Sequence, residues 1–136
     1  MSRTTPTLPA TRPWLPAAEQ DLRARVAGKF LFVGDEKLYV RGATYGTFRP
    51  AGDGTAYPER TTVERDFALM AANSVNAIRT YTVPPRWLLD IAQTSGLRVM
   101  VGLPWEQHVT FLADAPRTRA IEERVRDGVR ACAGHP

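Results

Sequence analysis

The sequence predicts an α/β fold in which parallel strands alternate with helices. Between residues 75 and 108 an apolar run, a helix opened by prolines and a second apolar run follow one another. Residues 99–103 are continuously apolar, which is typical of a parallel strand buried on both faces. A further amphipathic pattern precedes this stretch and another follows it, so the chain predicts successive strand–helix units.

Composition and charge narrow the class of protein. The chain has 136 residues, 43% of them hydrophobic, and a net charge of +4. A basic balance suggests nucleic-acid binding, but the arginines are scattered among acids, as at Glu122 and Arg124, which indicates a solvated surface instead. We therefore expect no nucleic-acid partner.

The cysteine count and the length of the apolar stretches predict where in the cell the protein is located. Cys132 is the single cysteine, so an internal disulfide cannot form, and a reducing, cytoplasmic location is expected. No apolar stretch approaches the roughly 20 residues that a membrane-spanning helix needs, so no membrane segment is expected.

The N-terminal third predicts a lead-in and a hairpin. Residues 1–28, rich in Thr, Pro and Ala, are expected to be disordered or weakly ordered, with a helical turn at 21–26. Apolar arms at 30–33 and 38–40 flank Gly34 and predict a β-hairpin. The second arm continues through 41–46 as the first parallel strand.

Capping residues and the spacing of apolar residues predict three helices. Thr61 and Glu64 fit a capping box, and the first helix carries an apolar face (Val63, Phe67, Met70, Ala71). The second starts at Pro84 and Pro85 and stops at Gly96. The third runs from about Thr118 to the single cysteine, with an inner stripe (Ile121, Val125, Val129, Cys132).

The sum is a hairpin followed by three βα units, with residues 29–136 as the folded part. Right-handed crossovers then give a parallel sheet covered by helices. A three-stranded sheet of this kind leaves an open edge without visible protection. We expect an incomplete part of a longer fold, which is marginally stable by itself.

Polar and aromatic residues follow the predicted strands. Arg79 and Tyr81 come after the second parallel strand, and Trp105, Glu106 and His108 come after the third. The carboxyl ends of parallel strands meet at one edge of the sheet, where such folds place their sites.

Several motifs carry a resemblance to a known family. They are R-G-A-T-Y-G at 41–46, A-A-N-S-V-N-A-I-R-T-Y at 71–81 and L-R-V-M-V-G-L-P-W at 97–105. They resemble the start of the catalytic barrel of retaining glycoside hydrolases, most nearly the family 2 type and related glucanosyltransferases with an N-x-I-R-x-Y strand end. The resemblance implies a partial (β/α)8 TIM barrel, its first three βα units preceded by a β-hairpin.

The resemblance also implies an activity and its partners. Such modules act on β-linked oligo- or polysaccharides by a retaining mechanism, and some bacterial proteins carry one beside a glycosyltransferase domain. Their two carboxylates follow strands four and seven, outside the matched part, so the chain itself is expected to be inactive and to need the C-terminal part of the barrel. No catalytic residue, cofactor or metal is expected; His108 and His135 are far apart, and no second thiol is present.

Five residues are candidates for substrate binding: Arg79, Tyr81, Trp105, His108 and Tyr45. By the resemblance, Arg79 matches the arginine that orients the nucleophile; the alternative is a structural ion pair. Tyr81 and Trp105 suit stacking on sugar rings as well as they suit packing, whereas packing is favoured for Tyr45. His108 suits a substrate contact or a plain surface position.

Glu106 is the acid next to these candidates. A solvated loop charge is favoured over an acid/base role, because a matched second acid is missing from the same edge.

Three functions remain open. The first is the N-terminal part of a glycoside hydrolase-like module. The second is a non-catalytic carbohydrate-binding or scaffold module attached to a glycosyltransferase. The third is a different barrel enzyme, since the fold hosts many chemistries.

Overall fold

The computed structural model describes residues 23–50, 52, 54, 56–106 and 108–135. Over these residues the fold is mixed α/β, with two three-stranded sheets and three helices. The strands of neither sheet close into a barrel. Residues 1–22 of the predicted lead-in (1–28) lie outside the described residues.

The first sheet is antiparallel, in the order β1 (Ala24–Ala27), β2 (Phe30–Val33) and β3 (Glu36–Leu38). The predicted hairpin is confirmed, and Gly34 occupies its turn with a φ of 56°, which favours glycine. The helical turn predicted at 21–26 is wrong, because residues 24–27 pair along β2. This pairing overrides the weak local helix propensity, and the sheet begins before the expected boundary at residue 29.

The second sheet is parallel, in the order β4 (Gly42–Thr44), β5 (Ala77–Thr80) and β6 (Arg98–Val101). The predicted succession of strands and helices is therefore confirmed. Thr44, Arg79 and Met100 lie side by side across the three strands. Arg79, expected just after its strand, lies inside it.

The helices are α1 (Arg60–Ala72), α2 (Arg86–Thr94) and α3 (Ala115–Cys132). The capping box predicted at Thr61 is wrong, since α1 begins at Arg60 and its N-cap is Glu59, which lies two residues before Thr61 and makes no side-chain capping bond. The predicted helix α2 is confirmed, although it begins at Arg86, directly after the two prolines, and Gly96, with a φ of 71°, lies just beyond its end.

Helix α3 differs most from its prediction. It begins at Ala115 rather than Thr118, because the Asp114 side chain accepts a hydrogen bond from the Arg117 backbone N–H at 3.0 Å. Its expected inner stripe is largely uncovered, with Val129 60% exposed. The buried position on α3 is Gly128, which lies against the Leu103 side chain.

The parallel sheet has two unlike faces. Ile78 and Thr80 of β5 point into the core formed with α1 and α2, where the largest fully buried side chains lie (Phe67, Ile78, Leu88, Val63, Thr80). On the other face Arg79 is exposed and Met100 is 61% exposed. The expected burial of 99–103 on both faces is therefore wrong, since successive right-handed crossovers place all the helices on one face.

Part of the helix-free face lies opposite the antiparallel sheet. A cavity of about 380 Å³ is lined from one side by Leu31, Leu38 and Val40 and from the other by Ala77 and Met100. Thr44 and Arg79 line the same cavity, so the apolar face of the hairpin lies opposite the helix-free face along most of the length of these strands.

Asn76 joins the hairpin to the parallel sheet. Its side-chain oxygen accepts from the Arg41 backbone N–H at 2.7 Å, and its amide donates to the Tyr39 carbonyl at 2.8 Å. The Asn76 backbone also donates to the Arg41 carbonyl and accepts from the Arg98 N–H. One residue therefore sets the register of β4 and β6 against β5.

We expect Asn76→Ala to destabilise the fold by about 1–3 kcal/mol, because two hydrogen bonds to backbone groups are lost. Urea unfolding followed by circular dichroism measures the change. Asn73→Ala is the matched control, since the Asn73 amide donates only to Leu69, within α1. Equal losses in the two variants would contradict the assigned role.

Candidate functional site

The carboxyl ends of β5 and β6 are in tight contact at Gly102. Its backbone N–H donates to the Thr80 carbonyl at 2.8 Å. A Cβ at this position would stand 2.6 Å from the Thr80 oxygen and 2.7 Å from the Tyr81 oxygen, so only glycine fits. The chain segments that carry Tyr81 and Trp105 therefore leave the sheet from adjacent positions.

Arg79 and Tyr81 form a pair on the helix-free face. The Arg79 guanidinium lies 4.9 Å from the centroid of the Tyr81 ring, and Tyr81 is 45% exposed. Among the described residues, no carboxylate lies within ion-pair distance of Arg79. A cation held over an aromatic ring in this way is open to an anionic or polar ligand.

Trp105 projects from the loop after β6. Its ring meets Phe111 edge-on, with 5.0 Å between centroids, and it remains 44% exposed. It also borders a cavity of about 430 Å³ between this loop and α3, whose other lining is mainly aliphatic (Val83, Leu103, Pro104, Ile121, Val125, Gly128). Phe111 thus fixes one side of the indole and leaves part of its surface to solvent.

Tyr45 is placed differently from the other two aromatic candidates. It is 5% exposed and packs edge-on against Phe67 and Phe48, each with centroids 4.9 Å away. Its hydroxyl donates to the Asp66 carboxylate at 3.0 Å. Burial, together with the neighbouring Asp66 charge and hydrogen bond, raises the pKa of Tyr45 well above its usual range.

Glu106 forms a two-pronged ion pair. The Arg124 guanidinium donates to its two carboxylate oxygens at 2.7 and 2.8 Å. The hydrogen bond from Arg124 lowers the pKa of Glu106, so this carboxyl is held ionised and is poorly suited to act as a general acid. Glu106 is exposed in its loop, as expected of a solvated charge, and its ion pair with Arg124 also ties the β6–α3 loop to α3.

His108 lies in the same loop but apart from the other candidates. It is exposed, with a φ of 61°. Within the described ranges it shares no hydrogen bond or ring contact with Arg79, Tyr81 or Trp105. The structure thus brings two of the five candidates into contact, buries one and leaves His108 and Trp105 separately exposed on the β6–α3 loop.

Three supporting residues escaped the sequence analysis. They are Asp66, Arg124 and Tyr57, whose hydroxyl donates to the Thr82 carbonyl at 3.1 Å and anchors the segment after Tyr81. Each partner is 18 to 25 residues away in sequence. No local pattern reports contacts at such separations, so no sequence signal could have found them.

Comparison with known proteins leaves the family open. No family model matches the chain, and no curated protein matches it. Within the described ranges no three His, Cys, Asp or Glu side chains gather as metal ligands do. None of the described helices has the length and apolar character needed to cross a bilayer.

The buried tyrosine predicts a loss of stability in alkali. A phenol whose pKa is raised on folding favours the native state below its unfolded pKa of about 10 and disfavours it as pH rises further, by about 1.4 kcal/mol per pH unit. The urea midpoint of the wild type should therefore fall more between pH 8 and pH 11 than that of Tyr45→Phe. Tyr39→Phe, at a 64% exposed ring, should behave like the wild type.

The Glu106–Arg124 pair predicts a titration below the usual range. Carbon-detected NMR should show the Glu106 carboxyl titrating below the ordinary glutamate value of about 4.3. The stability it contributes is then present above that value and lost as pH falls through the lowered pKa. Arg124→Gln should return the titration to its usual range, whereas Arg119→Gln should leave it unchanged; titration above the usual range would contradict the pairing.

Proposed function

We propose that this chain forms the first three βα units of a (β/α)8 glycoside hydrolase-like module and contributes part of its saccharide-binding surface. The observation that carries the proposal is the Arg79–Tyr81 pair, exposed on the helix-free face close to the carboxyl edge of a parallel sheet. In barrels of this kind that edge carries the active site.

The helix-free face is consistent with a larger sheet. Met100 and Arg79 are exposed there, whereas Ile78 and Thr80 on the opposite face of β5 are fully buried. In a closed barrel these positions would face the interior and be covered by further strands. The saccharide would then lie over Tyr81 and Trp105, with Arg79 beneath.

The catalytic carboxylates are proposed to come from other strands of the module. Three carboxylates lie near the edge or its loops, and each already has a structural partner: Asp66 accepts from Tyr45, Glu106 from Arg124 and Asp114 caps α3. A retaining pair needs two carboxyl groups about 5–5.5 Å apart, one of them free to donate a proton. The described chain is therefore proposed to bind sugar without cleaving it.

The second candidate is a non-catalytic carbohydrate-binding or scaffold module beside a glycosyltransferase. This candidate is favoured because the carboxylates of Asp66, Glu106 and Asp114 are already bound to structural partners. The sequence encoded beyond Pro136 distinguishes the two: an Asn-Glu pair after a fourth apolar strand supports the hydrolase, and its absence supports the binding module.

Oligosaccharide binding tests the proposal directly. We expect weak binding of β-linked gluco-oligosaccharides by calorimetry, reduced roughly two- to ten-fold by Tyr81→Ala or Trp105→Ala, since a ring contact contributes about 0.5–1.5 kcal/mol. Tyr39→Ala is the matched control, because Tyr39 is an even more exposed ring, at 64%, and lies on the hairpin. Turnover of an aryl glycoside that Glu106→Gln abolishes would refute the proposal.

A further inference from the structure

One face of the antiparallel sheet carries aromatic rings and cations together. The pairing of β2 with both neighbours places Arg25, Phe32 and Lys37 in one row across the three strands. Phe30 lies two residues from Phe32 and therefore on the same face, and the Lys37 ammonium lies 5.2 Å from the Tyr39 ring. We call this surface the ring-and-cation face and define it by six residues: Arg25, Lys29, Phe30, Phe32, Lys37 and Tyr39.

Each ring of this face has a cation close to it. The Lys37 ammonium lies 3.1 Å from the Phe30 centroid, and the Lys29 ammonium lies 5.4 Å from the same ring. The Arg25 guanidinium lies 5.2 Å from the Phe32 centroid. Phe30 is nevertheless 41% exposed and Tyr39 is 64% exposed. One ligand can therefore reach rings and positive charges at the same time.

The opposite face of the sheet is aliphatic. Leu31 and Leu38 pair with each other there and line the cavity toward the parallel sheet. Glu36 lies two residues from Leu38 and shares that face. Asp35 is fully exposed and lies 4.0 Å from Arg25, so it offsets the charge of one cation. The ring-and-cation face keeps an excess of positive charge, and the ligand that complements it is an anion.

We propose that the ring-and-cation face binds single-stranded nucleic acid. Proteins that bind single strands without sequence preference combine cations that follow the phosphates with aromatic rings on which the bases stack. Both kinds of group are present here on one face of one sheet. This surface is separate from the candidate saccharide site, which lies on the parallel sheet and its loops.

Strand pairing gathers charges that are scattered in the sequence. The sequence predicted no nucleic-acid partner, because its arginines are distributed among acids. Lysine occurs at positions 29 and 37 alone in the whole chain. The turn between β1 and β2 and the pairing of β2 with β3 bring both ammonium groups to the Phe30 ring. The spacing of the charges along the chain does not reveal this cluster.

The rings favour a nucleic acid over other anionic partners. An acidic peptide would pair with the cations and leave the rings unused, whereas every base has a π-face that stacks. A lipid bilayer is disfavoured because Leu31 and Leu38 lie on the other face. The Lys37 ammonium does not block Phe30, since an exposed cation–ring contact contributes less than a stacked base and the ammonium can move to a phosphate.

Fluorescence anisotropy of the full chain with a labelled oligothymidylate of about eight nucleotides tests the proposal, since such lengths fit one sheet face. An abasic oligomer of equal length carries the same phosphates without bases, and it should bind roughly ten-fold more weakly or worse. Equal binding of the two oligomers would overturn the proposal and would indicate a surface for polyanions in general. Failure of the oligothymidylate to bind at low salt would also overturn it.

Ring variants separate stacking from charge. Tyr39→Ala should weaken binding of the oligothymidylate roughly five-fold or more and leave binding of the abasic oligomer unchanged, whereas Tyr39→Phe keeps the ring and should bind as the wild type does. Trp105→Ala is the matched control, at a ring 44% exposed on the β6–α3 loop. It should weaken saccharide binding alone, so the two proposals can fail separately. Equal losses of oligothymidylate binding in Tyr39→Ala and Trp105→Ala would refute the assignment.

Salt dependence tests the role of the lysines. Lys29→Gln with Lys37→Gln should reduce the slope of log affinity against log salt concentration by about 1.4, because two phosphate contacts are lost. Arg119→Gln with Arg126→Gln removes the same charge from α3 and should leave the slope as in the wild type. A slope that changes equally in the two double variants would contradict binding at the ring-and-cation face.

Discussion

The structure depends on β5 being hydrogen-bonded on both sides. Among the described strands of the parallel sheet it alone lies between two partners, β4 and β6. Its side chains alternate, so that Ile78 and Thr80 enter the helix-covered core while Arg79 points the other way. The same four residues thus hold the core together and display the cation of the candidate site.

The antiparallel sheet is coupled to this strand through Asn76. The Asn76 side-chain amide hydrogen-bonds the backbone of Tyr39 and Arg41, in the segment between β3 and β4, as a neighbouring strand would. The Arg41 side chain adds a hydrogen bond to the Ser74 carbonyl at 2.7 Å. The hairpin can then turn Leu31 and Leu38 toward the parallel sheet and its ring-bearing face toward solvent. A polar side chain at the start of β5 therefore determines which surface of the hairpin is free.

Local signals predicted those parts of the fold that local chemistry determines. The hairpin turn at Gly34, the start of α2 after Pro85 and its end at Gly96 each follow from backbone preferences of one or two residues. The parallel order followed from the alternation of strands and helices, which leaves few alternatives. The prediction of a partial barrel stays a prediction, because two three-stranded sheets do not determine whether further strands would close a barrel.

The packing of α3 shows where periodicity is insufficient. Its spacing predicted an inner stripe of valines, but Gly128 makes the close approach to Leu103. The guanidinium of Arg86 holds the end of the helix by donating to the Ala131 and Ala133 carbonyls. The orientation of α3 is thus determined by contacts across some 45 residues of sequence, which an amphipathic pattern does not encode.

Register explains why similar aromatic positions have different roles. Tyr45 and Tyr81 each come one residue after a strand, yet the pairing of Thr44 with Arg79 places Tyr45 level with Thr80. Tyr45 therefore shares the covered face with Thr80, whereas Tyr81 shares the open face with Arg79. A shift of one residue in either strand would move that strand's tyrosine to the opposite face, and the sequence does not reveal this register. Of the two tyrosines, Tyr81 is consequently the one exposed to solvent, and Tyr45 holds α1 against the sheet.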